Sequence, residues 1–270
     1  MPPSSTPRAR KPKRAQAFTR RLIAWFERHG RDLPWRRTRD PYQVLVSEFM
    51  LQQTQVSRVA EYYPRFLERF SSLDELARAK PRAVREAWDG LGYYARARNL
   101  HALAKQVSGA GGQVPGVRDQ VSGVRDQVSG VRGQVPGDPD ELIKLPGVGR
   151  YTAGAVASFA YEKPVPAVDT NVARVLGRIF FGQRATGNPK GHGGRRLWDL
   201  ASALVPKDGK RAWKFNQALM ELGALVCKAR RPLCPECPVS TNCKAVSRGS
   251  APSLTRQPGS VPRTGTGSRP

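Results

Sequence analysis

The ten residues LPGVGRYTAG at 145–154 interrupt an apolar run with Pro146, Gly147 and Gly149, directly before a helical segment that Tyr151 opens. A turn of this kind between two helices exposes the amides of Gly147, Val148 and Gly149, and amides at a helix N-terminus bind an anion well. A dinucleotide fold would need a strand before the glycines and the fuller G-x-G-x-x-G pattern, and neither is present. A helix end without a ligand is the plainer reading, and charge decides against it. The chain carries 46 Lys and Arg against 21 Asp and Glu, a formal net charge of +25 over 270 residues. Residues 1–21 hold seven basic residues and no acid, and residues 244–270 hold five and none, which leaves +13 on residues 22–243. Such a field attracts polyanions. The hairpin therefore reads as a grip on a nucleic-acid backbone.

Outward from the hairpin, the pattern is helical in both directions. Helices are expected over about 16–29, 41–53, 55–69, 81–88, 93–107, 139–144, 151–161, 170–181, 194–205 and 211–226. Asp40-Pro41, Lys80-Pro81 and Asp138-Pro139 have the form of a cap followed by a first-turn proline. No stretch alternates with period two, so the fold class is all-α. The expected organisation is a basic disordered tail over 1–15, a helical domain over 16–243 and a second basic tail over 244–270. Within the domain, one helical subdomain spans about 41–165, and a second combines 16–40 with 166–226. A cleft between them and a cysteine loop at 227–243 complete the expected plan.

One segment departs from the helical pattern. VRDQVSG at 117–123 recurs at 124–130, and VRGQVPG fills 131–137. A glycine in every copy argues against a coiled coil. The repeat reads as a low-complexity expansion of a surface loop, because lengthening a loop costs little. No apolar run approaches the roughly 20 residues of a membrane helix. The basic N-terminus is followed only by the short patch Leu22 to Phe26, which does not make a secretory signal. The expectation is a soluble, cytoplasmic monomer, associated with the nucleoid if the source is prokaryotic.

All four cysteines fall within 17 residues, as Cys227, Cys234, Cys237 and Cys243, spaced C-x6-C-x2-C-x5-C. Clustered thiols in an intracellular protein point to metal rather than disulfides. Zinc modules usually pair two C-x2-C knuckles and this loop has one, while four thiolates in a compact loop can hold a [4Fe–4S] cluster. Spacing alone leaves both open.

Two carboxylates stand out. Glu48 lies in PYQVLVSEFMLQQTQV (41–56), where its neighbours leave almost no polar face. Desolvation should raise its pKa and keep it protonated near neutrality, as a general acid requires. A structural pairing with an arginine is the alternative. Asp169, eighteen residues after Tyr151, stands before the apolar-periodic run of VPAVDTNVARVLGRIF (165–180). A capping role is the plain reading. With a low pKa held by the helix dipole, the same carboxylate could also stabilise a developing cation.

These stretches together resemble the helix-hairpin-helix DNA glycosylases, most closely the MutY-type adenine DNA glycosylases. RDLPWR (31–36), SEFMLQQTQV (47–56), GLGYYARARNLH (90–101), LPGVGRYTAG, VDTNVARVL (168–176) and the cysteines carry the likeness. The resemblance implies an enzyme that flips adenine out of double-stranded DNA at a mispair with guanine or 8-oxoguanine and cuts its N-glycosidic bond. It implies that Glu48 protonates adenine and Asp169 stabilises the sugar cation, with Tyr151 beside the sugar. It further implies Glu221, Arg31 and Trp35 around the adenine, Gln53 and Tyr93 wedged into the base stack, and a [4Fe–4S] cluster on the four cysteines. Related endonuclease III enzymes carry a lysine at the place of Tyr151, so base removal without strand nicking is expected. Thr170 stands where many members have glycine, a change that leaves the carboxylate in place. The chain also reads as lacking the C-terminal Nudix-like domain that helps MutY relatives recognise 8-oxoguanine. Mismatch glycosylases that remove thymine or uracil opposite guanine share the hairpin tyrosine and remain an alternative. A non-catalytic iron–sulfur DNA-binding module is a third reading, although binding alone requires neither carboxylate.

Overall fold

The computed structural model describes residues 13–109, 133–182 and 194–248, and among them there is no strand. Twelve α-helices follow in order. They are α1 Lys13–His29, α2 Pro41–Leu51, α3 Val56–Arg69, α4 Leu73–Arg78, α5 Pro81–Ala87 and α6 Ala95–Ser108, then α7 Pro139–Leu142, α8 Arg150–Phe159, α9 Thr170–Leu176, α10 Gly194–Leu204, α11 Gly209–Leu225 and α12 Lys244–Ser247. Side-chain caps start many of them. Asp40 accepts from the Gln43 amide at 2.9 Å, Asp138 from Asp140 at 2.8 Å and Asp208 from Arg211 at 2.8 Å. Each bond satisfies one of the amide donors that a helix start leaves open. Prolines at the first turn of α2, α5 and α7 occupy positions where no intrahelical donor is needed.

The helices enclose two separate apolar cores. One runs from Leu33 to Ala167 and is built by α2 to α8; the other joins Ala15 to Phe26 of α1 with residues from Val168 to Val239. The chain crosses from the first core to the second between Ala167 and Val168. Trp213 and Met220 of α11 touch both cores, and the Arg39 guanidinium lies 4.2 Å from the Trp213 ring centroid across the junction. Leu45, Leu76, Leu100 and Leu103 of the first core and Leu22 and Leu222 of the second are fully buried. Each such side chain contributes roughly 1.5–3 kcal/mol relative to an exposed one.

The structure departs from sequence expectation at several element ends. Lys13 to Ala15, expected in the tail, already belong to α1, and Lys244–Ser247 form a helical turn where a second tail was expected. The helix Leu73–Arg78 was not anticipated. It is too short to show periodicity, yet Ser72 caps it by accepting from the Glu75 amide at 3.2 Å. The run expected as one helix over 170–181 ends at Leu176 and widens into a π-helical turn, Gly177–Phe181. Most of the 117–137 repeat, with the tails at 1–12 and 249–270, lies outside the described residues. The end of the repeat is not a surface feature. Val135 is buried in the first core, and its carbonyl accepts a hydrogen bond from the Tyr161 hydroxyl.

Candidate active site

Helix α2 buries eight of its eleven residues, because the run VLVSEFML offers no polar face. Glu48 is carried inside with them and is only 3% exposed. Its one side-chain hydrogen-bond partner among the described residues is the Tyr151 hydroxyl, which donates to Oε2 at 2.8 Å. Burial lifts the Glu48 carboxyl to about 7, against the pull of the Tyr151 bond, and the nearby Asp169 charge adds to the rise while Arg36 opposes it. Burial, with Glu48 and Asp169 close by, raises the Tyr151 phenol well above its ordinary value. Its hydroxyl also sits 3.9 Å from the Met220 sulfur, a side chain shared by both cores.

Asp169, next to Val168 of the second core, lies close enough to act electrostatically on both members of this pair. It is the N-cap of α9: Oδ1 accepts from the Val172 amide at 2.6 Å and Oδ2 from the Asn171 side-chain amide at 3.1 Å. A low pKa set by the helix terminus was expected here, and the direction is opposite. Burial outweighs the bonds from Val172 and Asn171 and raises the carboxyl above its ordinary value. Behind Asp169 a polar chain continues. Asn171 Oδ1 accepts from Arg174 Nη2 at 2.7 Å, and Arg174 donates onward to the carbonyls of Gly223 (2.9 Å) and Cys227 (2.9 Å). Gly223 has no room for a side chain, since a Cβ would lie 2.8 Å from Asn171 Cβ.

The four cysteines line one pocket together with Arg178 and apolar side chains. Arg178 Nη1 lies 3.4 Å from the Cys227 sulfur and donates to the Lys228 carbonyl at 2.7 Å; Nη2 donates to Ala229 at 2.8 Å. Burial pushes the Cys237 thiol up to about 12, and the other three sulfurs add to the shift. All four thiols are free and only half-buried. Four free thiols around one pocket are the kind of donor set that a thiolate-held metal group needs. Among the described residues, however, no three His, Cys, Asp or Glu side chains are grouped as ligands to one metal ion.

The remaining expected site residues fall into three groups. Glu221 is 1% exposed, and both its oxygens are engaged: it accepts from the Arg31 amide (3.0 Å), Arg31 Nε (2.6 Å) and Nη2 (3.1 Å), and Arg36 Nη2 (2.7 Å). Burial alone would raise its carboxyl, but the bonds from Arg31 and Arg36 carry it below the ordinary value. Trp35 is buried edge-on against Tyr63. Arg36, which also donates to Gln217 at 2.8 Å, is the residue that sequence reasoning missed. The signal was available, because a Glu in the apolar run FNQALMELGAL needs neutralising and RDLPWRR supplies two cations besides Arg31.

Gln53 and Tyr93 are exposed, and each is a non-glycine residue in the left-handed region, with φ of 55° and 49°. In the hairpin, Gly147 has φ 76° and lies against Asn99 and Phe49. The three amides were expected to be open together, and one is not. The Val148 amide closes the turn by donating to the Leu145 carbonyl at 3.1 Å, and its side chain is buried. Gly149, the N-cap of α8, has open space where a side chain would be.

Comparison with known proteins identifies the family of the fold. The family described as HhH-GPD superfamily base excision DNA repair protein matches residues 46–199, a segment that contains Glu48, Tyr151 and Asp169 but not the cysteines. The adenine DNA glycosylase of Rattus norvegicus is 42% identical over 254 residues, covering 90% of this chain and 44% of the relative. That of Mycolicibacterium smegmatis is 43% identical over 229 residues, covering 84% of this chain and 69% of the relative. The chain thus spans less than half the length of the rat protein. Among solved structures, a thermostable thymine-DNA glycosylase superposes with a TM-score of 0.71 at 29% identity, covering 87% of this chain and 98% of that one.

Proposed function

Because the chain belongs to the HhH-GPD superfamily of base excision DNA repair proteins, we propose that it removes adenine mispaired with guanine or 8-oxoguanine in double-stranded DNA. The reaction is hydrolysis of the bond between adenine N9 and the sugar C1′, with no strand cleavage. The observation that carries the reading is the buried Glu48, held to Tyr151 and set against Asp169 across the junction of two cores. Adenine departs readily only after a ring nitrogen has taken a proton. A carboxylic acid that is neutral up to about pH 7 supplies that proton. As the bond to C1′ breaks, positive charge develops on the sugar, and the Asp169 carboxylate stabilises it until water adds at C1′.

Tyr151 orients the Glu48 carboxyl and offers no amine to the sugar, which supports base release without a Schiff base. Glu221, locked by Arg31 and Arg36, forms with them and Trp35 one wall of the adenine site. The amides of Gly147 and Gly149 meet a DNA phosphate, and Gln53 and Tyr93 fill the gap left by the extruded nucleotide. Cys227, Cys234, Cys237 and Cys243 hold a [4Fe–4S] cluster. The spacing C-x6-C-x2-C-x5-C, with one C-x2-C pair rather than the two knuckles of common zinc modules, supports the cluster over a single zinc. The cluster, when bound, supplies a rigid, charged scaffold for the loop.

A second reading, removal of thymine opposite guanine, is favoured by the superposition on the thymine-DNA glycosylase over 98% of that chain. One panel decides. Purified protein is offered duplexes containing A·G, A·8-oxoguanine, G·T and G·U, and strands are examined with and without hot alkali. Breakage only after alkali and only at adenine is expected; release confined to G·T or G·U gives the second reading. An iron–sulfur absorption band that Cys237→Ser removes is expected for the cluster.

A further inference from the structure

Arg96, on α6, is only 7% exposed, yet every hydrogen-bond partner it has among the described residues is neutral. Nη1 donates to the carbonyls of Phe49 (3.2 Å), Met50 (2.7 Å) and Gln52 and to the Thr54 hydroxyl (3.0 Å). Nη2 donates to the carbonyls of Leu91 and Gly92, both at 3.1 Å. The guanidinium carbon lies 5.5 Å from the Trp88 ring centroid and 5.4 Å from that of Tyr93. Burying a cation without a counter-ion is expensive. A methionine of similar length would fill the same space without a charge to desolvate, so packing alone does not account for the arginine.

Its bonds divide between two turns. Phe49, Met50 and Gln52 are at the C-terminal end of α2, where a helix leaves carbonyls without partners and favours a cation. Leu91 and Gly92 belong to the turn between α5 and α6. Each turn displays one exposed non-glycine residue in the left-handed region, Gln53 in the first and Tyr93 in the second. Residues with a Cβ take that conformation only when their surroundings over-determine it. Here the same guanidinium binds the residues on both sides of Gln53 and the two residues before Tyr93.

We propose that Arg96 is a positioning residue which fixes these two turns to one another, so that Gln53 and Tyr93 enter the base stack as a pair of preset spacing. The inference rests on the reading of Gln53 and Tyr93 as wedges. It adds that their separation is set by one side chain, which the α2 carbonyls also tie to the helix carrying Glu48. The wedge is thereby registered to the acid. Neither residue can shift in the stack without pulling on Phe49, the neighbour of Glu48.

The test compares Arg96→Lys with the unaltered protein on two substrates. One is a duplex with adenine opposite guanine; the other presents the adenine already unpaired, opposite an abasic-site analogue. A lysine has one donor centre and cannot hold both turns. On the paired duplex, base release should fall about 100-fold, the loss expected when wedge geometry slips by an ångström. On the unpaired substrate, where no extrusion is needed, it should change by no more than about threefold. The rise in fluorescence of 2-aminopurine at the target position, which reports extrusion, should disappear in the variant. Equal losses on both substrates would overturn the inference while leaving the proposed function standing. An unaltered protein that releases no adenine from either substrate would overturn the function itself. Thr54→Val removes one acceptor and leaves the core intact, so it decides the matter if Arg96→Lys does not fold. It should lower release from the paired duplex about fivefold, the worth of one hydrogen bond, and spare the unpaired substrate; no difference between the two overturns the inference.

Discussion

The two carboxylates of the site are held by unlike means. Glu48 belongs to the first core, and apolar packing does most of the work: its helix is sealed on nearly every side, and one phenol touches the acid. Asp169 belongs to the second core, and a polar chain holds it, running through Asn171 and Arg174 to the carbonyl of the first cysteine. An acid that must stay protonated is best kept by excluding water. A carboxylate that must stay charged while buried needs donors aimed at it. The difference in scaffolding follows from the difference in task.

The comparison can be broken from either side, and the largest effect should come from the carboxyl groups themselves. Glu48→Gln and Asp169→Asn should each lower adenine release by about 1,000-fold or more, measured in single-turnover assays, since each removes a group that acts on the reacting atoms. Next in size is truncation of the packed side. Leu103→Ala, at a fully buried position, should destabilise the fold by roughly 2–5 kcal/mol in denaturant unfolding.

Third, Glu48 should make stability depend on pH. Its folded-state value near 7 lies above that of an unfolded glutamate, so folding favours the protonated form. Its contribution is fully present below about pH 4.5 and is lost as pH rises through about 7. Glu48→Gln should therefore be more stable than the unaltered chain above pH 7, by roughly 3 kcal/mol, and match it in mild acid. In the unaltered enzyme, base release should fall over the same rise in pH, as the acid loses its proton. The smallest effect should sharpen the contrast. Gly223→Ala presses on Asn171 and should slow release about tenfold, while the pH midpoint assigned to Glu48 stays where it was.

Much of this was legible in the amino-acid order, for physical reasons that differ by residue. Glu48 announced itself because a carboxylate inside VLVSEFML has nowhere polar to go. Asp169 showed as a cap because a helix start needs an acceptor. What stayed hidden depended on contacts between distant segments. Arg36 meets Glu221 across 185 positions, and a list of arginines in so basic a chain does not single it out. The direction of the Asp169 shift was misread because capping is local and visible in sequence, whereas the burial that outweighs it comes from packing. The Val148 amide was assigned to a ligand because a glycine turn reads as open, while its closing bond to Leu145 depends on the turn's dihedral angles.

Val135 gives the repeat an unexpected property. The four residues QVPG at 134–137 are also the residues at 113–116, and each seven-residue copy between them ends in a valine, a small or proline residue, and glycine. Excising 117–137 places the first QVPG against Asp138, with Val114 standing where Val135 now fills the core. A chain with one heptad more or fewer would thus still present a valine, a small or proline residue and glycine directly before Asp138.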